Sequence, residues 1–415
     1  MSEEKKPNSA SKRVVVAMSG GVDSSVAAAL LKMQGYEVIG VNLQLWDYKK
    51  NETKTNFNPE GNCDEFNSCC SPIDVNDARK VADTLDIPFY VINAEEEFKT
   101  AVVDYFVNEY VHARTPNPCA MCNEFIKFDL LLKRAKEIGA SKLATGHYAK
   151  VVHDVDSDSY ELHRGIDASK DQTYYLFGLK QRQLRDLLMP LGEMRKDHVR
   201  KIASKFGLPT AMKKDSYEVC FVGNDSYSNF VKKHAPKEFQ TGGLILTEKG
   251  ETVGRHEGLF NYTIGQRKGL NLSVQKSEAF YVTRMEPHSS TLYVGSEEQI
   301  FQDRLLSSQM NWVGGLDLSK PLQCEAKIRS RHEEVEATVT ALPGNLAEVQ
   351  FKEKQRAITP GQAIVLYQGT RVIGGGWIER VVEPNLDFSI PLKKSVTASP
   401  EGKGGEAPSK EGSPS

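Results

Sequence analysis

RVVVAMSGGVDSSVAAALLKMQG, residues 13–35, decides the fold. VVVAM is a short β-branched run that favours a strand, whereas SVAAALLKMQG is rich in Ala and Leu, favours helix, and ends at Gly35 where a C′ glycine belongs. Between them Ser19-Gly20-Gly21-Val22-Asp23-Ser24-Ser25 forms a glycine turn. Strand, glycine turn and helix in this order place backbone N–H groups and a helix N-terminus where a phosphate group would sit. No Lys follows the second glycine, so this is not a Walker A loop. Its hydroxyls and Asp23 suit a pyrophosphate leaving group, with Asp23 orienting phosphate-bound Mg²⁺. The simpler alternative is that Gly20 and Gly21 only make a tight βα turn.

Outward from this unit the pattern repeats. EVIGVNLQLW (37–46) and IPFYVIN (87–93) read as strands, and KLATGHYA (142–149) as another. Ser71-Pro72 reads as N-cap and N1 of a helix to about Leu85. Phe98, Val102, Tyr105, Phe106 and Tyr110 fall at helical spacing, and FIKFDLLLKRAKEIGA (125–140) carries a helix stopped by Gly139. Alternating strands and helices predict an α/β fold with a doubly wound parallel sheet. The stretch 179–214 reads as helical and basic. After Phe221 short strands separated by Gly turns predict a small central mainly-β domain and then a C-terminal β-barrel. The expected division is a tail over 1–12, a phosphate-loop domain over 13–222, a central domain over 223–298, a barrel over 299–382 and a Ser/Pro/Gly/Lys tail over 383–415. Residues 47–68 read as a polar insertion.

The 415 residues carry 53 Lys and Arg against 55 Asp and Glu, a formal charge of −2. That balance lacks the global basic signature of a nucleic-acid binder, so a polyanion partner needs local patches. Residues 179–214 supply one, with ten Lys and Arg against three Asp and Glu; the plain alternative is a solvated helix face. No apolar run is long enough to span a bilayer, and MSEEKKPNSASKR lacks the apolar core of a signal peptide, so a cytoplasmic protein without membrane contact is expected. Seven cysteines on such a chain argue for metal-binding or redox thiols over a disulfide framework. Cys119 and Cys122 form a CxxC in RTPNPCAMCNEFIKF. Reading Asn123 as the helix N-cap puts Cys122 at a helix N-terminus, where its thiolate is favoured. Cys220 lies beside Lys213 and Lys214. A zinc site completed by Cys63, Cys69 and Cys70 is the competing reading. Cys324 reads as a small buried residue.

SGGVDSS after a strand resembles the PP-loop of the N-type ATP pyrophosphatases. Taken in order, SGGVDSS, TPNPCAMCNEFIKF, ATGHYAK, KDQTYYLFGL, VCFVG and YTIGQRKGL resemble the tRNA-specific 2-thiouridylases over residues 13–380. The resemblance implies an adenine nucleotide alpha hydrolase-like PP-loop domain and ATP-dependent sulfur insertion at position 2 of the wobble uridine of tRNA. It implies ATP contacts at Ala17, Met18, Ser19, Gly20, Gly21, Val22, Asp23, Ser24, Leu43 and Gly146, and Mg²⁺ with the nucleotide. It makes Cys220 the persulfide carrier and Cys122 the nucleophile that closes a transient disulfide with it. Asn117, Pro118 and Cys119 would meet the target base; His147, Lys170, Asp171, Gln172, Arg329, Arg331 and Gln362 would meet tRNA. Tyr148 and Tyr174 are candidates for base stacking or for the core. Partners are tRNA and a sulfur donor, either a protein or hydrosulfide, and a monomer is expected.

Cys119 departs from the resemblance, since many members have Asp there. Three thiols at 119, 122 and 220 also match the ligand count of a 4Fe–4S cluster with one open iron, an alternative that needs no persulfide. Two further readings are an adenylating ligase for a small molecule and a zinc-stabilised tRNA-binding protein.

Overall fold

Strand β1 (Arg13–Ala17) is buried along all three valines, as a continuous β-branched run requires of a central strand in a parallel sheet. Val15 points into an apolar cluster with Ile39, Val41, Leu43 and Leu143. Val14 and Val16 join the opposite cluster, with Val26 and Ala29 of the helix Val22–Met33. The two-residue period of a strand thus splits the core into two layers. The computed structural model describes residues 12–46, 72–215, 219–223, 225–273 and 279–382. The tails, the 47–68 insertion, the Ser71 cap and Cys63, Cys69 and Cys70 lie outside these, residue 12 excepted.

Parallel strands stand in the order β3-β2-β1-β4-β7, with β2 at Glu37–Gln44, β3 at Phe89–Asn93, β4 at Lys142–Ala144 and β7 at Leu187–Leu188. The chain winds outward from β1 through β2 to β3, then returns to place β4 on the other side of β1. The gap between the carboxyl ends of β1 and β4 is therefore a topological switch point, where open α/β sheets hold their ligands.

Three sequence expectations shift. The strand expected over 142–149 stops at Ala144, which leaves Gly146 and His147 in a loop at the switch point. The basic stretch 179–214 is two helices, Gln181–Asp186 and Lys196–Lys205, flanking the short β7, which takes the free edge of the sheet beside β4. Finally, the helix after RTPNP starts at Pro118, not near Glu124. Asn117 is its N-cap, accepting from Ala120 N at 3.2 Å, and Pro118 occupies N1. From Cys122 to Leu130 that helix is wound in wide π turns, a departure that recurs at functional sites.

The central sheet orders β10-β11-β8-β9, with β8 at Gly243–Thr247, β9 at Thr252–His256, β10 at Tyr281–Glu286 and β11 at Thr291–Gly295. Six antiparallel strands then close a barrel: β12 (Phe301–Trp312), β15 (Leu346–Arg356), β14 (Val335–Leu342), β13 (Leu322–Lys327), β16 (Ala363–Gln368) and β17 (Arg371–Val381), sealed by β12 on β17. Cys324 is buried inside it with Ala326, Val339 and Ile364. A hairpin from the first half of the chain, β5 (Ala149–Asp154) and β6 (Ser159–Arg164), joins this sheet by pairing β6 with the start of β17. Alternation along β16 shows how barrel and first domain meet: Ile364 and Leu366 fill the barrel, whereas Ala363, Val365 and Tyr367 belong to the large core cluster of the parallel sheet. No described helix is long and apolar enough to cross a membrane.

Candidate active site

The glycine turn lies at the switch point. Gly20 has φ of +75°, and a Cβ there would stand 2.2 Å from Asp74 O, so the position demands glycine. The helix starts at Val22 with extended Gly21 before it and no capping side chain, which leaves the first turn to a ligand anion. Inside the turn Ser24 Oγ accepts from Ser19 N and donates to Gly21 O, both at 3.2 Å, and Ser25 Oγ donates to Gly21 O at 2.8 Å. The loop after β4 closes from above: a Cβ on Gly146 would meet Ser24 N at 2.6 Å. Met18 and Leu43 are buried and Ala17 half-buried beneath the turn. Asn42 Nδ2 donates to Met18 O at 2.7 Å, which leaves its buried Oδ1 without a partner. An orphan acceptor beside a backbone cradle fits a nucleotide.

Around the turn lies a charged cluster that the sequence did not announce. Lys196 Nζ donates to Asp23 Oδ2 at 2.7 Å and pairs with Asp215 Oδ1 at 2.8 Å. Tyr148 OH donates to Asp23 Oδ1 at 2.8 Å. Burial raises the Tyr148 hydroxyl first, and the Asp23 charge adds to it, so this phenol stays a donor. Lys170 Nζ reaches Asp215 Oδ2 at 2.7 Å and Arg200 reaches Oδ1 at 3.3 Å. Burial alone would raise the Asp215 carboxyl, but the hydrogen bonds from Lys170 and Lys196 outweigh it and hold the group below the usual range. Lys213 Nζ donates to Gly20 O at 3.0 Å and to Asp74 and Asp77, both at 2.6 Å.

The cysteine turn has a different chemistry. Because the helix begins at Pro118, Cys119 is the residue in its first turn and Cys122 sits one turn further in, packed in the apolar core. The N-terminal position read for Cys122 is corrected accordingly. Cys119 is reached by solvent yet densely surrounded by protein, as on the floor of a concavity. Burial, then the neighbouring Cys220 sulfur, push its thiol up to about 11. Cys220 is half-buried in the turn Val219–Val222. Its neighbour Phe221 anchors that turn, with ring centroids 5.1 Å from Phe106, 5.3 Å from Phe230, 5.7 Å from Phe98 and 6.3 Å from Trp46. Aromatics at four distant positions gave no local signal for this anchor. His147, half-buried, bonds Thr145 Oγ1 through Nδ1 at 2.8 Å; burial and then the charge of Lys127 push it down to about 3, so it is neutral.

Among the described residues no three His, Cys, Asp or Glu side chains are gathered to hold a metal ion. Cys119, Cys122 and Cys220 therefore do not fit as ligands of a 4Fe–4S cluster: Cys122 faces the core while Cys119 is exposed. No disulfide joins the described cysteines.

The barrel clamps the cysteine turn. Arg114 pairs with Glu109 at 2.8 Å and with Glu379 of β17 at 2.9 Å, and Thr115 N donates to Pro360 O at 2.8 Å. Gln362 Nε2 donates to Thr115 O and Pro116 O, at 3.3 and 3.2 Å. Gln362 thus holds the turn, and Asn117, buried, caps it with its Oδ1; Pro118 is buried beside it. Asp171 accepts from Thr173 N at 3.1 Å, and Gln172 Oε1 accepts from Tyr148 N at 2.9 Å. Tyr148 and Tyr174 are both core residues, 2% exposed, which removes them as stacking platforms. Arg329 Nη2 donates to Arg356 O at 3.1 Å, whereas Arg331 is exposed. In the basic stretch Lys180, Arg182, Arg185, Lys196, Arg200 and Lys213 all pair with carboxylates.

Three family models cover most of the chain: the tRNA methyl transferase HUP domain over residues 12–224, the tRNA methyl transferase PRC-barrel domain over 228–296 and the aminomethyltransferase beta-barrel domain over 302–378. The chain is 46% identical over 382 residues to the tRNA-specific 2-thiouridylase MnmA of Geotalea uraniireducens, covering 92% of this chain and 99% of that one. Against the protein of the same name from Geobacter metallireducens the identity is 47% over 370 residues, 89% and 97% of the two chains. Among solved structures, an NMN synthetase from Francisella tularensis aligns with a TM-score of 0.31 and 14% identity over 54% of this chain and 77% of that one. Near-complete coverage of relatives at close to half identity, over all three segments, places this chain in the tRNA-specific 2-thiouridylase family.

Proposed function

We propose that this chain converts the wobble uridine of tRNA to 2-thiouridine through an ATP-dependent relay between Cys220 and Cys122. The C2 oxygen of uridine is a poor leaving group. Attack of that oxygen on the α-phosphorus of ATP at the SGGVDS turn releases pyrophosphate and leaves the oxygen adenylated. Gly20, Gly21 and the uncapped helix start hold the phosphates by backbone N–H, and Asp23 would hold Mg²⁺, which neutralises the departing pyrophosphate. A sulfur donor, a protein persulfide or hydrosulfide with an oxidant, loads Cys220 as a persulfide. Its terminal sulfur adds to C2 and AMP leaves, so the base is joined through two sulfurs to Cys220. The Cys122 thiolate then attacks the Cys220 sulfur, the S–S bond breaks, and 2-thiouridine departs as a Cys122–Cys220 disulfide forms. A dithiol reductant reopens it.

The observation that carries this reading is the juxtaposition of thiols: Cys220 packs against the same apolar cluster that holds Cys122. Cys119 takes the place of the carboxylate that the sequence resemblance leads one to expect. Held at about 11, its thiol stays protonated at neutral pH and supplies no carboxylate; its role is to donate S–H toward the base. Arg331, exposed on the barrel, and His147, Lys170 and Arg329 complete the tRNA-facing set, whereas Asn117, Asp171, Gln172 and Gln362 act by holding its loops. The expected division of labour is nucleotide and thiol chemistry in residues 13–222 and tRNA grip shared with residues 223–298 and 299–382.

Cys122→Ala and Cys220→Ala test the relay. Each is expected to abolish 2-thiouridine while tRNA-dependent release of pyrophosphate persists. Retained product in either variant overturns it, and pyrophosphate release without tRNA points to a small-molecule ligase.

A further inference from the structure

Charge at the phosphate turn is set against the ligand that its backbone suits. Asp23 lies in the first turn of the helix Val22–Met33, so a polyphosphate there meets a carboxylate beside the backbone donors, and SGGVDSS contains no cation of its own. Like charges at such range weaken binding unless a cation stands between them. Four basic side chains surround the turn, and they are fixed in different ways. Lys213 Nζ holds Gly20 O at 3.0 Å and Asp74 and Asp77 at 2.6 Å, so it shapes the turn. Arg200 donates to Ala211 O and Lys213 O, at 2.9 and 3.0 Å, as well as to Asp215. Lys170 faces Asp215 at 2.7 Å. Among the described residues Lys196 is the cation that reaches Asp23, at 2.8 and 2.7 Å to its two oxygens.

Lys196 is also the cation that can turn away without stranding a carboxylate. Its Nζ bonds Asp23 and Asp215. Asp215 keeps Lys170 and Arg200, at 2.7 and 3.3 Å. Asp23 keeps the Tyr148 hydroxyl at 2.8 Å and is the group proposed to hold magnesium. The swing is therefore not opposed by the large penalty of a carboxylate left without a partner. Nor does the backbone have to move. Arg195 is the N-cap of the helix Lys196–Lys205, and Lys196 N donates to Asp167 Oδ2 at 2.9 Å, which fixes the root of a flexible four-carbon stem. The side chain is 12% exposed, so its charge acts with little screening from solvent.

The geometry points to Lys196 as the residue that binds the β- and γ-phosphates of the nucleotide. A Walker A loop carries such a lysine within its own sequence; this turn receives it from a helix 173 residues further along the chain. Lys196 holds Asp23 in this structure, and it turns from Asp23 to the phosphates as Asp23 takes magnesium. Because it touches the leaving group, Lys196 is a catalytic residue: its charge offsets the charge that develops on pyrophosphate as the bond to the α-phosphorus breaks. This inference rests on the ATP-dependent reading of the site, and its tests read binding and labelling without turnover.

Isothermal titration of the full-length protein with magnesium present compares α,β-methylene-ATP with AMP. In Lys196→Met the analogue is expected to bind about tenfold or more weakly than in the wild type. AMP, which lacks the β- and γ-phosphates, is expected to stay within about twofold. Equal weakening of both ligands makes Lys196 a structural support of the turn and overturns the inference, as does an unchanged affinity for the analogue. A wild type that binds neither ligand breaks the ATP reading itself. Should Lys196→Met fail to fold, the wild type decides. ATP carrying an acyl group on its γ-phosphate transfers that group to an amine lying against the phosphates: the amine attacks the acyl carbonyl and ATP departs. Mass spectrometry is expected to find the acyl group on Lys196, and excess magnesium ATP to suppress it. Label on Lys170 or Lys213 with Lys196 untouched overturns the assignment, as does any label on Lys196 that ATP does not suppress.

Discussion

The phosphate turn and the cysteine turn are both tight entrances to helices, and they are built in opposite ways. At Gly21 no side chain caps the helix, while Asp23, Lys196, Lys213 and Asp215 crowd around it. At Asn117 the helix is capped, prolines shape the approach, and the surroundings are apolar enough to hold Cys119 near 11 and His147 near 3. The first turn has unmet backbone donors and a cluster of paired charge beside them, which suits a site for a polyanion. The second keeps the Cys119 thiol and the His147 ring neutral and its geometry fixed, which suits thiols that must stay inactive until a base arrives.

Four measurements would break or sharpen that contrast. The largest effect is expected from Arg114→Met, which leaves Glu109 and Glu379 without their shared cation. Breaking a buried pair in this way costs about 3–5 kcal/mol, to be read by urea unfolding. Thiolation should fall with it. A loss under about 1 kcal/mol would mean that the barrel does not hold the cysteine turn. Gly146→Ala attacks the other turn: its Cβ would force Ser24 N aside, and misplacement of about 1 Å lowers turnover about 100-fold. Pyrophosphate release reports it, with Cys119 labelling at wild-type rate as the control.

The remaining two effects concern protons. Cys119 alkylation should rise about tenfold per pH unit from 7 to 10 without levelling, where an ordinary thiol levels off above about 9. Its folded-state value lies above the unfolded one, so its contribution to stability is complete below about 9 and is lost as pH rises toward about 11. A plateau near 8.5 would show the turn to be wetter than described. His147 has the opposite sign. Its folded value lies below the unfolded 6.5, so its contribution is full above that pH and is lost as pH falls toward about 3. His147→Gln should therefore flatten the acid side of the stability profile, and an unchanged slope would argue against a buried neutral ring.

How much of this was legible in sequence depended on how local the interactions are. VVVAM-SGGVDSS-VAAALL carries its strand, turn and helix within 20 residues, and the structure has all three. The cap of the cysteine helix was misplaced because RTPNPCAMCN offers Asn twice; Asn117 wins since Pro118 is prepared for N1, while Asn123 is buried and donates to Tyr175 O. The excess of seven positive charges in 179–214 is partly spent inside the molecule, while Arg195, Lys201, Lys205 and Lys214 stand exposed. Its partners Asp23, Asp74, Glu124, Asp129 and Asp215 come from elsewhere in the chain, and no periodicity reports them. The Phe221 cage was hidden for the same reason.

The hairpin of β5 and β6 has a consequence for synthesis. Its outer partner, the start of β17, is translated more than 200 residues later. At about 5–20 residues per second the ribosome needs roughly 10–40 s to produce it. Throughout that interval the phosphate-turn half of the molecule can pack its parallel sheet, but β6 presents an open edge, a template for pairing with another nascent chain. The long sequence separation also makes this a slow contact to form. Chaperone demand and inclusion-body formation should therefore fall on chains truncated within the barrel, even though every residue of the thiol and nucleotide chemistry has by then been made.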